Sequence, residues 1–318
     1  MKLVSYRGAG TEVKTGAVVH ERLIDLTELV AALDFPAARA EVLARRGLAV
    51  PPAGILRLLY GGPWALREIM RQVEARVQNG LLERHPPRGD TPLLAPIPRP
   101  GKIVAIGRNY AAHAKETGVD PFARPRIIAK LPSSVVGPGA VITRPAAVTK
   151  LDFEAELAVV IGEFASNVPR AKALDVVAGY TALNDLSARE FQLDVSPPQT
   201  TFAKSMDGFC PMGPWLVTKD DIPDPQTLDI TCVVNGEALQ HGNTADMLFP
   251  VDRLIEYITH YMTLEPGDVI ATGTPAGVGA FRKPPVWLQP GDRVRVEIGQ
   301  IGVLENRIGQ DSHQPEKP

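Results

Sequence analysis

Residues 151–162 read LDFEAELAVVIG and place Asp152, Glu154 and Glu156 at alternate positions ahead of an apolar run. On a strand, alternate side chains share a face, so three carboxylates would crowd one surface. The LAVVIG that follows is apolar on both faces, the pattern of a central buried strand rather than a solvated edge. Carboxylates at the end of such a strand lose their water and repel one another unless a cation neutralises them. Hard divalent ions such as Mg2+ and Mn2+ take oxygen ligands of this kind. A third ligand is offered by Asp185, in the polar break where the strand-like GYTAL of GYTALNDLSAREFQ ends. Glu154, Glu156 and Asp185 thus form a candidate open metal site. Asp152 is the spare carboxylate, a supporting or strand-entry residue.

Other residues invite chemistry less strongly. In GRNYAAHAKE, His113 and Glu116 stand three apart, close enough on a helical turn for the carboxylate to orient and charge-stabilise the imidazole. Arg189 and Gln192, in SAREFQ, have the spacing of two residues on one turn. Lys204 sits among apolar and small residues in TFAKSMDGF. TGTPAGVG lacks the Gly-Lys-Ser/Thr ending of a nucleotide P-loop, and no helical pattern follows it. Cys210 and Cys232 have no metal-ligand spacing and read as buried reduced thiols.

The elements that must position these residues fall into two textures. KLVSY, AVVH and RLIDL read as short strands, followed by two helical patterns, AALDFPAARAEVLARRGL and WALREIMRQVEARVQNGLLE. The proline-rich ERHPPRGDTPLLAPIPRPGK reads as a linker. It places a small α+β N-terminal domain at 1–95 and a second domain at 96–310, with a polar, disordered tail at 311–318. Beyond the linker, KIVAIG, LAVVIG, LDITCVVNG, DVIATG and RVRVEIG are β-branched runs, two of the later ones opened by Pro-Gly-Asp turns. Helical patterns there are few, near 109–117, 170–179 and 246–261. The fold class is α+β, mostly β, and not the regular alternation of a doubly wound sheet.

Composition adds exclusions. At 318 residues, 44% hydrophobic and 22% charged, the chain can bury a sizeable core. A formal net charge of −2 gives no electrostatic case for nucleic acid or an anionic membrane as partner. The opening MKLVSYRGAG has no apolar stretch with a small-residue cleavage site. No run approaches the ~18–20 apolar residues of a membrane span, so the cytoplasm is the default location.

Taken in order, GRNYAAHAKE, KLPSSVVGPG, LDFEAELAVVIG, NDLSAREFQ, TFAKSMDGFCPMGP and TGTPAGVG resemble the fumarylacetoacetate hydrolase superfamily. The likeness covers roughly residues 100–308, and residues 1–95 resemble the N-terminal extension of some members more loosely. The resemblance implies a β-rich catalytic domain of mixed sandwich or roll type, paired into a homodimer. It implies one Mg2+ or Mn2+ per subunit on Glu154, Glu156 and Asp185. Hydrolytic members carry a His-x-x-Glu, so His113 and Glu116 become a general-base dyad that activates water, on a short helix able to act as a lid. The family's lysine facing the substrate falls on Lys204, where it steadies developing negative charge. Arg189 and Gln192 become substrate contacts, as do Arg108, Tyr110, Lys130 and Ser134 near other motif matches. The TGTPAGVG loop passes beside the metal site in the family, giving Thr274 a role in holding a substrate carboxylate.

The expected activity is cleavage of a C–C bond in a 2,4-dioxo acid, an acylpyruvate or fumarylpyruvate-like compound, through a metal-stabilised enolate. Members that isomerise 2-hydroxy-dienedioates, such as 2-hydroxyhepta-2,4-diene-1,7-dioate, or decarboxylate 2-oxo acids such as oxaloacetate share the same ligand triad. The His-x-x-Glu tilts the expectation toward hydrolysis.

Overall fold

The strand Ala155–Ile161 is buried along its whole length, and its neighbours explain why it carries no polar alternation. In the computed structural model, which describes residues 1–8, 10–89 and 91–310, it pairs antiparallel with Val177–Asn184 on one side and Val269–Ala271 on the other. The sheet continues from Val177–Asn184 through Cys210–Thr218 to the N-terminal strands Lys2–Arg7, Val13–Val19 and Arg22–Asp25. In the other direction Val269–Ala271 pairs parallel with Ile103–Gly107, which pairs antiparallel with Arg126–Lys130.

Both faces of this sheet are covered. On one lies a five-stranded sheet whose strand Arg293–Ile298 (RVRVEI) alternates exposed and buried residues. Val294, Val296 and Ile298 point inward and join Leu157, Val159 and Ile161 in one core. Arg293, Arg295 and Glu297 face solvent, the division expected of a half-buried antiparallel strand. The opposite face packs Ala158, Val160, Leu183 and Leu216 against Leu58, Leu59 and Ile69, from the helices Gly54–Tyr60 and Gly62–Gln78. The fold is therefore α+β and mostly β, three layers deep, with the large sheet in the middle.

One expectation meets a different outcome. The helical pattern at 170–179 is a 3-10 segment, Arg170–Val176, that gives way to the strand Val177–Asn184. The apolar residues there enter the central sheet, and sheet pairing overrides a short helical period. The boundary near residue 95 falls between the strands Leu93–Leu94 and Ile103–Gly107, while the sheet itself runs through both parts, since Lys2–Arg7 pairs with Cys210–Thr218. The expected tail at 311–318 lies outside the described residues. No described helix is long and apolar enough to cross a membrane.

Candidate active site

The chemistry collects at one end of the sheet. Glu154 immediately precedes Ala155–Ile161, Asp185 immediately follows the antiparallel Val177–Asn184, and residues 272–279 follow Val269–Ala271 at the same end. Backbone bonds fix the ligands. The Glu154 N–H donates to Asn184 Oδ1 at 3.1 Å, and the Asp185 N–H donates to the Glu154 carbonyl at 2.8 Å. Oxygens of Glu154, Glu156 and Asp185 all lie within 4.8 Å of one another, and all three residues are buried.

Asp152 is not one of the three clustered carboxylates, and the chain breaks from strand geometry at 153–154. Its carboxylate accepts the N–H groups of Gly279 at 2.7 Å and Ala280 at 3.0 Å, and Arg189 Nε at 2.8 Å. Arg189 also donates from Nη2 to Glu154 Oε1 at 2.6 Å and from Nη1 to Gln192 Oε1 at 2.6 Å. Lys204 Nζ donates to Glu154 Oε2 at 2.8 Å, Asp185 Oδ2 at 2.7 Å and Ser187 Oγ at 2.8 Å. An ammonium has three donors, and here all three go to the protein.

Charge accounting tests whether a metal fits. In this buried cluster four carboxylates (Asp152, Glu154, Glu156, Asp185) face three cations (Lys130, Arg189, Lys204), leaving one negative charge uncompensated. The surplus sits on Glu156. Among the described residues Glu156 pairs with no cation and accepts one backbone N–H, from Gly273 at 2.8 Å. Burial, then the charges of Asp185 and Glu154, push its carboxyl well above the usual range. Burial would raise Glu154 too, but Lys204 and Arg189 hold it below the ordinary value. An all-oxygen, buried donor set short of positive charge fits a divalent cation.

The dyad stands beside this cluster. His113 Nδ1 lies 2.7 Å from Glu116 Oε1, and Glu116 Oε2 accepts the Gly277 N–H at 2.9 Å. His113 lines a cavity of about 50 Å3, room for a few water-sized groups, together with Glu154, Glu156, Asp185 and Thr274. Phe281 packs edge-on against the imidazole. The turn before the helix Ala111–Glu116 is tied down by Asn109, whose side-chain NH2 donates to the carbonyls of Thr272 and Phe249.

Residues 102–309, about two-thirds of the chain, match the family described as fumarylacetoacetate (FAA) hydrolase, C-terminal. The chain belongs to the fumarylacetoacetate hydrolase family. Among curated relatives, the mitochondrial oxaloacetate tautomerase FAHD2A of Homo sapiens is 46% identical over 222 residues, 70% of this chain and 71% of that protein. Its Bos taurus counterpart is 43% identical over 251 residues, 77% and 80% of the two chains. Among solved structures, maleylpyruvate hydrolase from Sphingobium sp. SYK-6, in complex with manganese(II) and pyruvate, is 30% identical with a TM-score of 0.75, covering 98% of this chain and all of that one. The 2-hydroxyhepta-2,4-diene-1,7-dioate isomerase of Mycobacterium marinum is 41% identical with a TM-score of 0.63, covering 72% and 82%. The protein is an enzyme of this family.

The structure sorts the remaining expected site residues. Arg108, Arg189, Gln192, Lys204 and Thr274 line the cavity with the triad and His113. Thr274 Oγ1 is engaged within the protein, donating to the Ala155 carbonyl and accepting from Gln240. Three others are not on its wall. Lys130 is fully buried, and its ammonium donates to Asp185 Oδ1 at 2.6 Å and to the Phe209 carbonyl at 3.1 Å. Ser134 is buried and donates to the Leu131 carbonyl. Tyr110 is buried, with its hydroxyl unpartnered. These three miss the cavity because motif proximity along the chain does not report which way a side chain points.

Sequence reasoning missed Arg126 and Phe281 on the cavity wall. The N–H groups of Gly273, Gly277 and Gly279 each hold one of the enzyme's own carboxylates, Glu156, Glu116 and Asp152 in turn. The signal was the glycine spacing of TGTPAGVG.

Proposed function

We propose that the protein catalyses proton transfer at the carbon next to the carbonyl of a 2-oxo acid, interconverting keto and enol forms of an oxaloacetate-type substrate. The observation that carries this reading is His113, held at Nδ1 by Glu116 and facing a small cavity beside the carboxylate triad. Among the described residues its Nε2 has no hydrogen-bond partner, which suits it to take a proton from the substrate carbon and return it. Glu116, itself held by Gly277, fixes the ring orientation and stabilises the imidazolium that forms. Lys204, Lys130 and Arg189 hold Glu154 and Asp185 in place through buried ion pairs. Glu154, Glu156 and Asp185 would hold a divalent ion, Mg2+ or Mn2+, which would supply Lewis-acid polarisation of the substrate carbonyl. The relatives named as oxaloacetate tautomerases support this substrate class.

A second reading is hydrolysis of an acylpyruvate, in which His113 takes the proton of an attacking water instead. The near-complete overlap with maleylpyruvate hydrolase, N-terminal region included, favours it. The family's homodimer and the site roles belong to both proposals. Decay of the oxaloacetate enol, followed by its ultraviolet absorbance with Mg2+ or Mn2+, tests the first reading. Release of pyruvate from acylpyruvates tests the second. Fast enol decay with inert acylpyruvates is the expected result, and pyruvate release without enol decay would reverse the order.

A further inference from the structure

Arg126 opens the strand Arg126–Lys130 directly opposite Gly107. Its stem lies over that glycine, since a Cβ at Gly107 would stand 3.3 Å from Arg126 Cδ. The residue after that glycine, Arg108, adopts a left-handed backbone with φ of 57°, sparsely populated outside glycine. The two guanidinium groups lie over the same ring, with Arg108 Cζ 5.6 Å and Arg126 Cζ 5.9 Å from the centroid of Phe122. Among the described residues neither has an ion-pair or hydrogen-bond partner, although both line the cavity that holds His113 and the triad. Burial, then the charges of Arg126 and Arg189, push the Arg108 pKa down. Two like charges on one ring, unpaired at the wall of a cavity, are a site short of an anion.

We infer that Arg108 and Arg126, stacked on Phe122, bind a second carboxylate at the far end of the substrate. The planar fork of a guanidinium suits a carboxylate, and stacking on Phe122 holds two forks ready for one anion. The cavity is then bipolar: the arginine pair receives the tail, and the acidic cluster, with the divalent ion it would hold, lies at the end left for the 2-oxo acid head. The substrate class is a 2-oxo dicarboxylate, and neutral-tailed 2-oxo acids are discriminated against. This assignment rests on the 2-oxo acid reading above and adds to it which substrates are taken.

The test compares oxaloacetate with its 4-methyl ester, which keeps the head and removes the far charge. The ratio of kcat/KM for diacid over ester is measured in the wild type, Arg126→Ala and Arg126→Lys, all loaded with Mg2+. The wild type is expected to favour the diacid, and Arg126→Ala to cut that preference roughly 10- to 100-fold, the worth of one charge-assisted hydrogen-bonded contact. Arg126→Lys should keep part of it. A ratio unchanged in Arg126→Ala overturns the inference, and because both substrates meet the same variant, misfolding cannot mimic the effect. If the wild type turns over neither compound, the tautomerase reading fails instead. The arginine pair is then judged by the same ratio taken from calorimetric dissociation constants.

Discussion

Glu156 carries the site's charge imbalance, which has a measurable consequence. Glu156→Gln keeps the shape and can still accept the Gly273 N–H, but it removes the unpaired buried charge. The metal-free variant should therefore melt at a higher temperature than metal-free wild type, while the rise in melting temperature that Mg2+ or Mn2+ gives the wild type should vanish. A lower melting temperature for the metal-free variant would show Glu156 already neutralised. Lys204→Met is expected to act in the opposite sense. It strands Glu154 and Asp185 beside one another, and breaking such a buried network by removing one partner costs about 3–5 kcal/mol. Added divalent ion should restore part of that loss, and denaturant melts with and without the ion read both effects. Glu116→Gln addresses the dyad. Loss of its charge should lower kcat by roughly 10- to 100-fold, no more than the lower limit of the ~100- to 10,000-fold a general base contributes, because the imidazole itself remains, and should shift the pH–rate profile. Calorimetric metal affinity should stay unchanged.

The glycine loop shows how one element serves several residues. Gly277 has φ of +105°, and a Cβ there would stand 2.3 Å from the Leu239 carbonyl oxygen. Gly277→Ala must therefore shift the loop, withdraw the N–H from Glu116 and release the dyad. Activity should fall as in Glu116→Gln and stability should fall as well. Gly291→Ala is the control, because its φ of +101° is similarly strained but a Cβ would meet open space. If Gly291→Ala lowered activity as far as Gly277→Ala, backbone strain alone would account for the loss. The loop also marks what the sequence made readable. Glu154, Glu156 and Asp185 were legible because strand periodicity and a strand-ending Asp are local signals, and the dyad because three residues span one helical turn. Arg126 was not. It reaches the cavity only through pairing of its strand with Ile103–Gly107, a non-local register that no spacing in RPRIIAK encodes. The break at 153–154 was equally hidden, because a periodic reading assumes the strand runs unbroken through Asp152, Glu154 and Glu156.

At the scale of the whole molecule, the first 95 residues are bound to the site through the sheet that carries it. Lys2–Arg7 covers the edge of Cys210–Thr218, and the helices Gly54–Tyr60 and Gly62–Gln78 cover the face formed by Ala158, Val160, Leu183 and Leu216. Arg39 reaches across to Glu163 at 2.7 Å, just beyond the far end of the ligand-bearing strand. A chain of residues 96–310 alone would expose both an apolar face and an unpaired strand edge, the two features that drive association. Such a truncation should be insoluble or aggregated by size-exclusion chromatography. Leu58→Ala, a milder cut into the same interface, should cost about 2–5 kcal/mol as a fully buried large-to-small change. Because Leu58 lies on the face opposite the core that includes Leu157 and Phe153, its loss should leave kcat near the wild-type value. A monodisperse, active 96–310 fragment with an unshifted melting temperature would mean that the catalytic layers need no cover. The N-terminal layer would then be an accessory rather than part of the frame that holds the carboxylates together.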